Sequence, residues 1–452
     1  MNGHRERIDL TEGDLLRNLL RLAVPMILGN LLQNVFNLVD MIFVGRLGAA
    51  AIAAVAMSGI LMTIVWTFLI GISIGTTALV SRFYGAKDYA RTTLAANQAL
   101  FLGLITSAVL GALGVLWPAT PLRALGAAEE VVRLGVPYVQ TVFGGSVCLV
   151  LLFLISAIFR GVGDAVTPVK IWAISSVLNI VLDPLLIFGI GPFPRLGVLG
   201  AGVATVGGQL IGLILGFLAL ERGYSYIRIR LRDFQIHWNL IWRLIKIAIP
   251  GSMQGFFRNV SGLILMRIVA EYGTPVVAAY GIGLRLLLIV MMPGWAIGSA
   301  VATLVGQNLG AHKPERAEKS GWLGTGMYVG LIAFIGLLFY VFAAPIMRVF
   351  NTDPDVVNTG VRYLRIVSVS FPFLAMGIVP GMALGGAGDT VTSMTVIGIS
   401  LIVFQIPAAI YLPKLGHLAA DGIWISVALA FFLQGVLMTL VYRLGRWKHK
   451  KV

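Results

Sequence analysis

Apolar runs of about 20 residues recur from one end of this chain to the other, and such runs are long enough to cross a bilayer as helices. Bounded by charge, Gly or Pro, twelve of them can be placed. They lie at roughly 17–44, 52–80, 93–117, 129–159, 168–190, 199–220, 240–270, 276–306, 320–345, 358–384, 391–412 and 421–444. Of the 452 residues 58% are hydrophobic and 12% charged, whereas a soluble domain carries about one quarter charged residues. A β-barrel would show alternating strands of about 10 residues instead of continuous apolar blocks. The expected fold class is an all-α membrane protein with 12 transmembrane helices.

The net charge of +15 does not require nucleic acid, because a many-spanning protein collects Lys and Arg on its cytoplasmic side. With the N-terminus inside, only Arg46, Arg123, Arg195, Arg348 and Lys414 fall in outer loops. Both termini are therefore expected in the cytoplasm, in a multi-pass protein of the plasma (inner) membrane. The mixed-charge N-terminus lacks the pattern of a cleaved signal peptide. Thr11 and Asp14 have capping-box spacing, which predicts a short cytosolic helix ahead of the first span. Cys148 lies in an apolar span and reads as core, and the five histidines (His4, His237, His312, His417, His449) lack metal-ligand spacing. No cofactor or bound metal is expected.

The second half repeats the first at a fixed shift of 225 residues. Pro25 falls on Pro250, Asn34 on Asn259, Gly48 on Gly273, Arg91 on Arg316, and Gly135 and Tyr138 on Gly360 and Tyr363. GVGDAVT at 161–167 faces GAGDTVT at 386–392. These Gly-rich loops lack the strand and Lys of a phosphate-binding loop and read as tight helix–helix turns. The repeat gives an N-terminal six-helix lobe (1–225), a cytoplasmic linker (226–239) and a C-terminal six-helix lobe (240–452). Parallel repeats of six spans are typical of secondary transporters.

The chemistry lies where the repeat breaks. Of 19 Asp and Glu residues, only Asp40 and Asp183 fall deep within a span, and their repeat partners are Leu265 and Ala408. Each would cost about 2.5–3.5 kcal/mol if charged and lipid-exposed, so both must face protein or water. Asn30, Gln33, Asn34, Asn37 and Asp40 share one helical face, a polar stripe suited to lining a cavity. Asn179 and Asp183 lie one turn apart, and Pro184 frees the carbonyl of Ile180. These hard oxygen donors suit Na⁺ at Asp40, Asn179 and Asp183, or a proton shared between acids. The second half carries Arg258, Arg267 and Arg285 in its spans instead. Arg258 stands at the repeat position of Gln33 and is a candidate for the same cavity. Arg267 and Glu271 are spaced for a structural ion pair, and Arg258 and Arg285 are open to capping carbonyls or pairing across helices.

DLTEGDLLRNLLRLAVP, followed by VDMIFVGRLG and by the paired RGVGD and GGAGD loops, resembles the multidrug and toxic compound extrusion (MATE) transporters. The likeness covers nearly the whole chain and is closest to the archaeal and DinF-type branch. It implies a V-shaped pair of six-helix bundles around a central cavity. It also implies export of drugs or amphipathic organic compounds, often cationic, in exchange for H⁺ or Na⁺. By the same resemblance Asp40, Asn179 and Asp183 carry the coupling, joined by Thr205 on the sixth span and Tyr138 on the fourth. Pro25 and Pro184 are the expected hinges, where the helical ladder is weakest. The expected partners are small amphipathic substrates and the lipid bilayer, with a monomer as the unit.

The nearest rival is a lipid-linked oligosaccharide flippase of the same superfamily, holding a pyrophosphate with Arg258 and Arg285. Twelve spans, not fourteen, and the acidic pair speak against it. SRFYGAKDYAR is a poor match to the basic loop of a major facilitator, and nothing resembles a repeated channel filter. No nucleophile–base pair or metal motif supports an enzyme.

Overall fold

A computed structural model describes residues 9–222, 235–415 and 418–450, apart from the side chain of Asn37. His4, His417 and most of the 226–239 linker lie outside the described residues. The first half runs α1 Leu15–Gly45, α2 Ala49–Gly85, α3 Tyr89–Leu116, α4 Ala119–Ala124, α5 Glu129–Gly144, α6 Ser146–Gly161, α7 Val166–Phe188 and α8 Val198–Glu221. The second half runs α9 Trp238–Ala270, α10 Thr274–Gly310, α11 Pro314–Val341, α12 Ala343–Phe350, α13 Pro354–Ser368 and α14 Phe371–Gly386. It continues with α15 Thr390–Gly398, a π-helical stretch Ile399–Gln405, α16 Ile406–Tyr411 and α17 Ala420–Leu444. No strand occurs among the described residues.

Nine of these helices, counting α15 to α16 as one, are long and apolar enough to span a bilayer, and two bent pairs raise the number to 11. The 33-residue α9 is long enough to be the twelfth, and its cations Arg243, Lys246, Arg258 and Arg267 are what make it less apolar. The fourth and tenth spans, read from sequence as single helices, are bent by 42° between α5 and α6 and by 54° between α13 and α14. Gly144–Gly145 marks the first break and Pro372 the second, the residues expected at a kink. Each bent span is preceded by a short helix, α4 or α12, that apolar length alone does not reveal.

Five inter-helix turns repeat one hydrogen-bond pattern, the one after α4 with Gly126 at φ 80° among them. At the first Gly-rich turn Asp164 N donates to Phe159 O (2.9 Å) and Gly163 N to Arg160 O (2.9 Å), with Gly163 at φ 92°. The second turn reproduces it with Asp389, Leu384, Gly388 and Gly385. This is a Schellman C-cap, which needs a left-handed residue and therefore favours glycine. The turns after α2 and α10 place Lys87 and His312 in that conformation instead, at φ 59° and 58°. Asp164 then caps α7 by accepting from Val166 N (3.0 Å) and Thr167 N (2.9 Å). The loops are tight helix–helix turns, as their sequence indicates.

The expected cytosolic helix before the first span does not form. Thr11 donates to Asp9 instead, and Asp14 is the cap of α1, accepting from Arg17 N at 3.1 Å. Thr11 is spent on the nearer carboxylate, so α1 starts directly at Leu15. Arg267 and Glu271 also make no ion pair, because α9 ends at Ala270 and Glu271 lies in the following turn.

The chain divides into two compact units, Val24–Ile249 and Met1–Ala23 together with Pro250–Val452. The divisions fall beside Pro25 and Pro250, inside α1 and α9. In the second unit the segment before α1 is held by Lys313 Nζ on Thr11 O (3.0 Å) and Arg316 Nη2 on Glu12 O (2.8 Å) and Gly13 O (2.7 Å). In the first, the fully buried Gln98 brackets the chain ahead of α9, donating to Gln235 O (2.7 Å) and accepting from His237 N (3.1 Å). Gln98→Leu would strip both partners from that backbone, at about 1–3 kcal/mol. Hydrogen–deuterium exchange should then quicken at residues 235–240, and unchanged protection would mean that Gln98 does not hold the segment.

Candidate ion-coupling site

The site is built where α7 lies along α8. α8 reads GAGVATVGGQLIG, with Gly208 and Gly212 at the four-residue spacing that lets membrane helices approach closely. A Cβ at Gly208 would lie 2.7 Å from the carbonyl oxygen of Ser175 and 3.2 Å from Cβ of Asn179. The Ser175 hydroxyl donates to Gly208 O at 2.7 Å across the same contact. That contact brings Asn179 of α7 toward Thr205 of α8, with Asn179 Nδ2 lying 3.5 Å from Thr205 Oγ1 and 3.4 Å from Asp183 Oδ1. Thr205 donates its own proton to Ala201 O (2.9 Å), which leaves its oxygen free to accept.

Asp183 is 0% exposed, and the Asp40 carboxyl from α1 lies within hydrogen-bonding reach of it. Asp40 Oδ1 and Asp183 Oδ2 are both buried and receive no hydrogen bond among the described residues. Two neighbouring carboxyls thus each keep one buried oxygen without a donor. Tyr138 of α5 lies within the field of both carboxyls and packs against Gly202. Past the pair, Val44, Ile187 and Ala201 form an apolar cluster with Phe43, Leu47, Val55, Tyr138 and Phe188 around it. Phe43 and Phe188 meet edge to face at 6.4 Å. Val44, Ile187 and Ala201 each lie one helical turn from Asp40, Asp183 and Thr205 respectively.

The structure therefore gathers Asp40, Asn179, Asp183, Thr205 and Tyr138. Asn30, Gln33 and Asn34 lie further along α1, where Asn34 Nδ2 donates to Asn30 O (2.7 Å), while the side chain of Asn37 lies outside the described residues. Pro25 and Pro184 sit within helices that run on past them. Arg258 belongs to the other unit and, with Arg285, neither caps a carbonyl nor forms an ion pair among the described residues. Gly208 and the apolar cluster are the parts missed from sequence. The Gly208–Gly212 spacing was the available signal for the first. Among the described residues no group of three or more His, Cys, Asp or Glu could hold a metal, so a bound Na⁺ would need Asn179, Thr205 or backbone oxygens as well.

A model of the MatE family matches the chain twice, over residues 25–185 and 250–411, and the two matches start 225 residues apart. The chain belongs to the MatE family. A probable multidrug resistance protein, YpnP, of Bacillus subtilis is 30% identical over 450 residues, covering 98% of both chains. A FAD transporter of Shewanella oneidensis is 28% identical over 408 residues, 90% of each. A multidrug/oligosaccharidyl-lipid/polysaccharide superfamily transporter from Pyrococcus furiosus shares the fold, with a TM-score of 0.90, 22% identity and 99% of each chain covered. This MatE chain is thus a multi-pass membrane transporter of the multidrug-efflux family, and not an enzyme.

Gly208→Val would force α7 away from α8 at its backbone and should destabilise the protein by about 1–3 kcal/mol. Gly207→Val meets only the tip of Leu182, at 3.5 Å, and should be tolerated. Thermal unfolding of the two variants in detergent checks this; equal stability would show that the helix contact is looser than described.

Proposed function

We propose that the protein exports amphipathic organic compounds, drugs and metabolites among them, in exchange for H⁺ or Na⁺ bound at Asp40, Asn179, Asp183 and Thr205. The observation that carries this reading is the pair of buried, donor-less oxygens on Asp40 and Asp183. Two like charges 4 Å apart repel by about 4 kcal/mol at an effective dielectric of 20, and a proton or a sodium ion between them removes that repulsion. Asp40 sits on α1 and Asp183 on α7, so binding the ion draws the two helices together and releasing it loosens them. α1 flexes about Pro25, where its ladder lacks a donor. Pro184 gives α7 the same freedom beside the site.

In this reading both termini are cytoplasmic, the membrane is the plasma membrane, and the protein works as a monomer of two six-helix lobes joined by the 226–239 linker. Asn30, Gln33, Asn34 and Asn37 line the path that substrate takes within the N-terminal lobe, Tyr138 borders the ion site, and Arg258 is a substrate group within the C-terminal lobe. A unit charge moving through 100 mV supplies about 2.3 kcal/mol, enough for a roughly 50-fold gradient of a neutral substrate. The flippase alternative would leave the acidic pair of Asp40 and Asp183 without a role.

The test is efflux of dyes of both charges from proteoliposomes under an imposed pH gradient, then under a Na⁺ gradient. Asp40→Asn and Asp183→Asn should each abolish gradient-driven movement, by at least about 10-fold, while the protein stays folded. Full efflux by either variant would sink the assignment.

A further inference from the structure

Charge in the two halves is opposite at the depth where the membrane is driest. In the C-terminal unit every carboxylate lies in a loop or within the opening turns of a helix. Two arginines lie much deeper. Arg258 is twelve residues from the end of α9 at Ala270, and Arg285 eleven residues from the start of α10 at Thr274, or roughly 18 and 17 Å along helices joined by one short turn. Nearer the ends of their helices, Arg362 meets Asp421 (3.3 Å) and Arg365 lies over the ring of Tyr340 (5.8 Å). Arg258 is half-buried and Arg285 exposed, and neither has a hydrogen bond or ion pair among the described residues.

Arg258 is also held in place from both sides. Gln254, Arg258 and Ser261 share one face of α9 by their spacing. Gln254 Nε2 donates to Thr390 O (3.4 Å), and the Ser261 hydroxyl donates to Gln405 Oε1 (2.9 Å). That face therefore addresses the span from Thr390 to Gln405, whose last seven residues, Ile399–Gln405, are π-helical. Such stretches are rare and collect at functional sites. An arginine keeps its proton in any protein environment, and its planar fork matches a carboxylate or a phosphate. A cation at this depth without an internal counter-charge is stable only beside water or an anion.

We infer that Arg258 and Arg285 form the binding locus for an acidic group on the transported compound, so that this carrier takes organic anions or zwitterions with a carboxylate or phosphate head. The inference rests on the exporter reading above and names its substrate class. Coupling ion and substrate acid then occupy different units, and the substrate's negative charge does not compete with Asp40 and Asp183. The apolar body of such a compound needs no partner beyond the hydrophobic surroundings.

The experiment measures binding, which needs no gradient. Full-length protein in nanodiscs of neutral phosphatidylcholine is titrated with carboxyfluorescein, an organic anion, and with ethidium, an organic cation, by fluorescence anisotropy. Wild type should bind carboxyfluorescein saturably. Arg258→Gln and Arg285→Gln should each weaken it by about 10-fold or more, as expected for loss of a charge-assisted contact. Arg258→Lys should restore part of the loss, and ethidium binding should be unchanged or tighter in all variants. No saturable binding of carboxyfluorescein to wild type, or equal affinity in the glutamine variants, overturns the inference. So does a parallel loss of both dyes, which would mean that the arginines only stabilise the fold. If binding follows this pattern but no gradient drives efflux, the exporter reading fails and the anion locus stands.

Discussion

Two carboxyl groups placed face to face inside a membrane protein cannot both stay charged and alone, and the arrangement around Asp40 and Asp183 follows from that constraint. Each carboxyl keeps one buried oxygen with no donor among the described residues. A cation or a proton is the missing partner, and only a mobile one makes a transporter. The surrounding features serve the pair. Gly208 lets α7 and α8 touch, so that Asn179 and Thr205 add two neutral oxygens beside it. The cluster around Val44, Ile187 and Ala201 sets apolar side chains one turn from the pair, and charges beside a low-dielectric surrounding interact more strongly.

Duplication gave both halves the same scaffold and left each free to acquire its own chemistry. The Schellman turns, the short helix before the bent span and the bend itself recur in both. Where the first half has Asn179, Asp183 and Pro184, the second has a π-helical stretch and an apolar Ala408. Where the first has Gln33, the second has Arg258. The architecture is thus symmetric while its polarity is not, as expected if one half handles a cation and the other the charge of the cargo.

Much of this was legible in the sequence because membrane insertion makes polar residues expensive and therefore informative. Asp40 and Asp183 stand out against about 20 apolar neighbours, and the repeat shows that neither is needed to build the fold. The shift of 225 residues was readable because positive-φ positions such as Gly163 and Gly388 favour glycine in both halves. The bends at Gly144–Gly145 and Pro372 were not, because a run of apolar residues looks the same straight or broken. The π-helical stretch has no sequence signature, being fixed by packing against α17 and by the Ser261–Gln405 bond. The short helix expected from the Thr11–Asp14 spacing is absent because Asp9, two residues earlier, takes the Thr11 hydroxyl.

The meeting of α1 and α7 at the carboxyl pair is the central claim, and cysteine cross-linking in native membranes measures it most directly. In a Cys148→Ser background, Asp40→Cys and Asp183→Cys are combined and treated with a mild oxidant or with Cd²⁺. The account predicts rapid, near-complete bridging, absent when either cysteine is present alone. Failure to bridge in a well-folded double variant, under both treatments, would place the two carboxyls apart and remove the shared ion site.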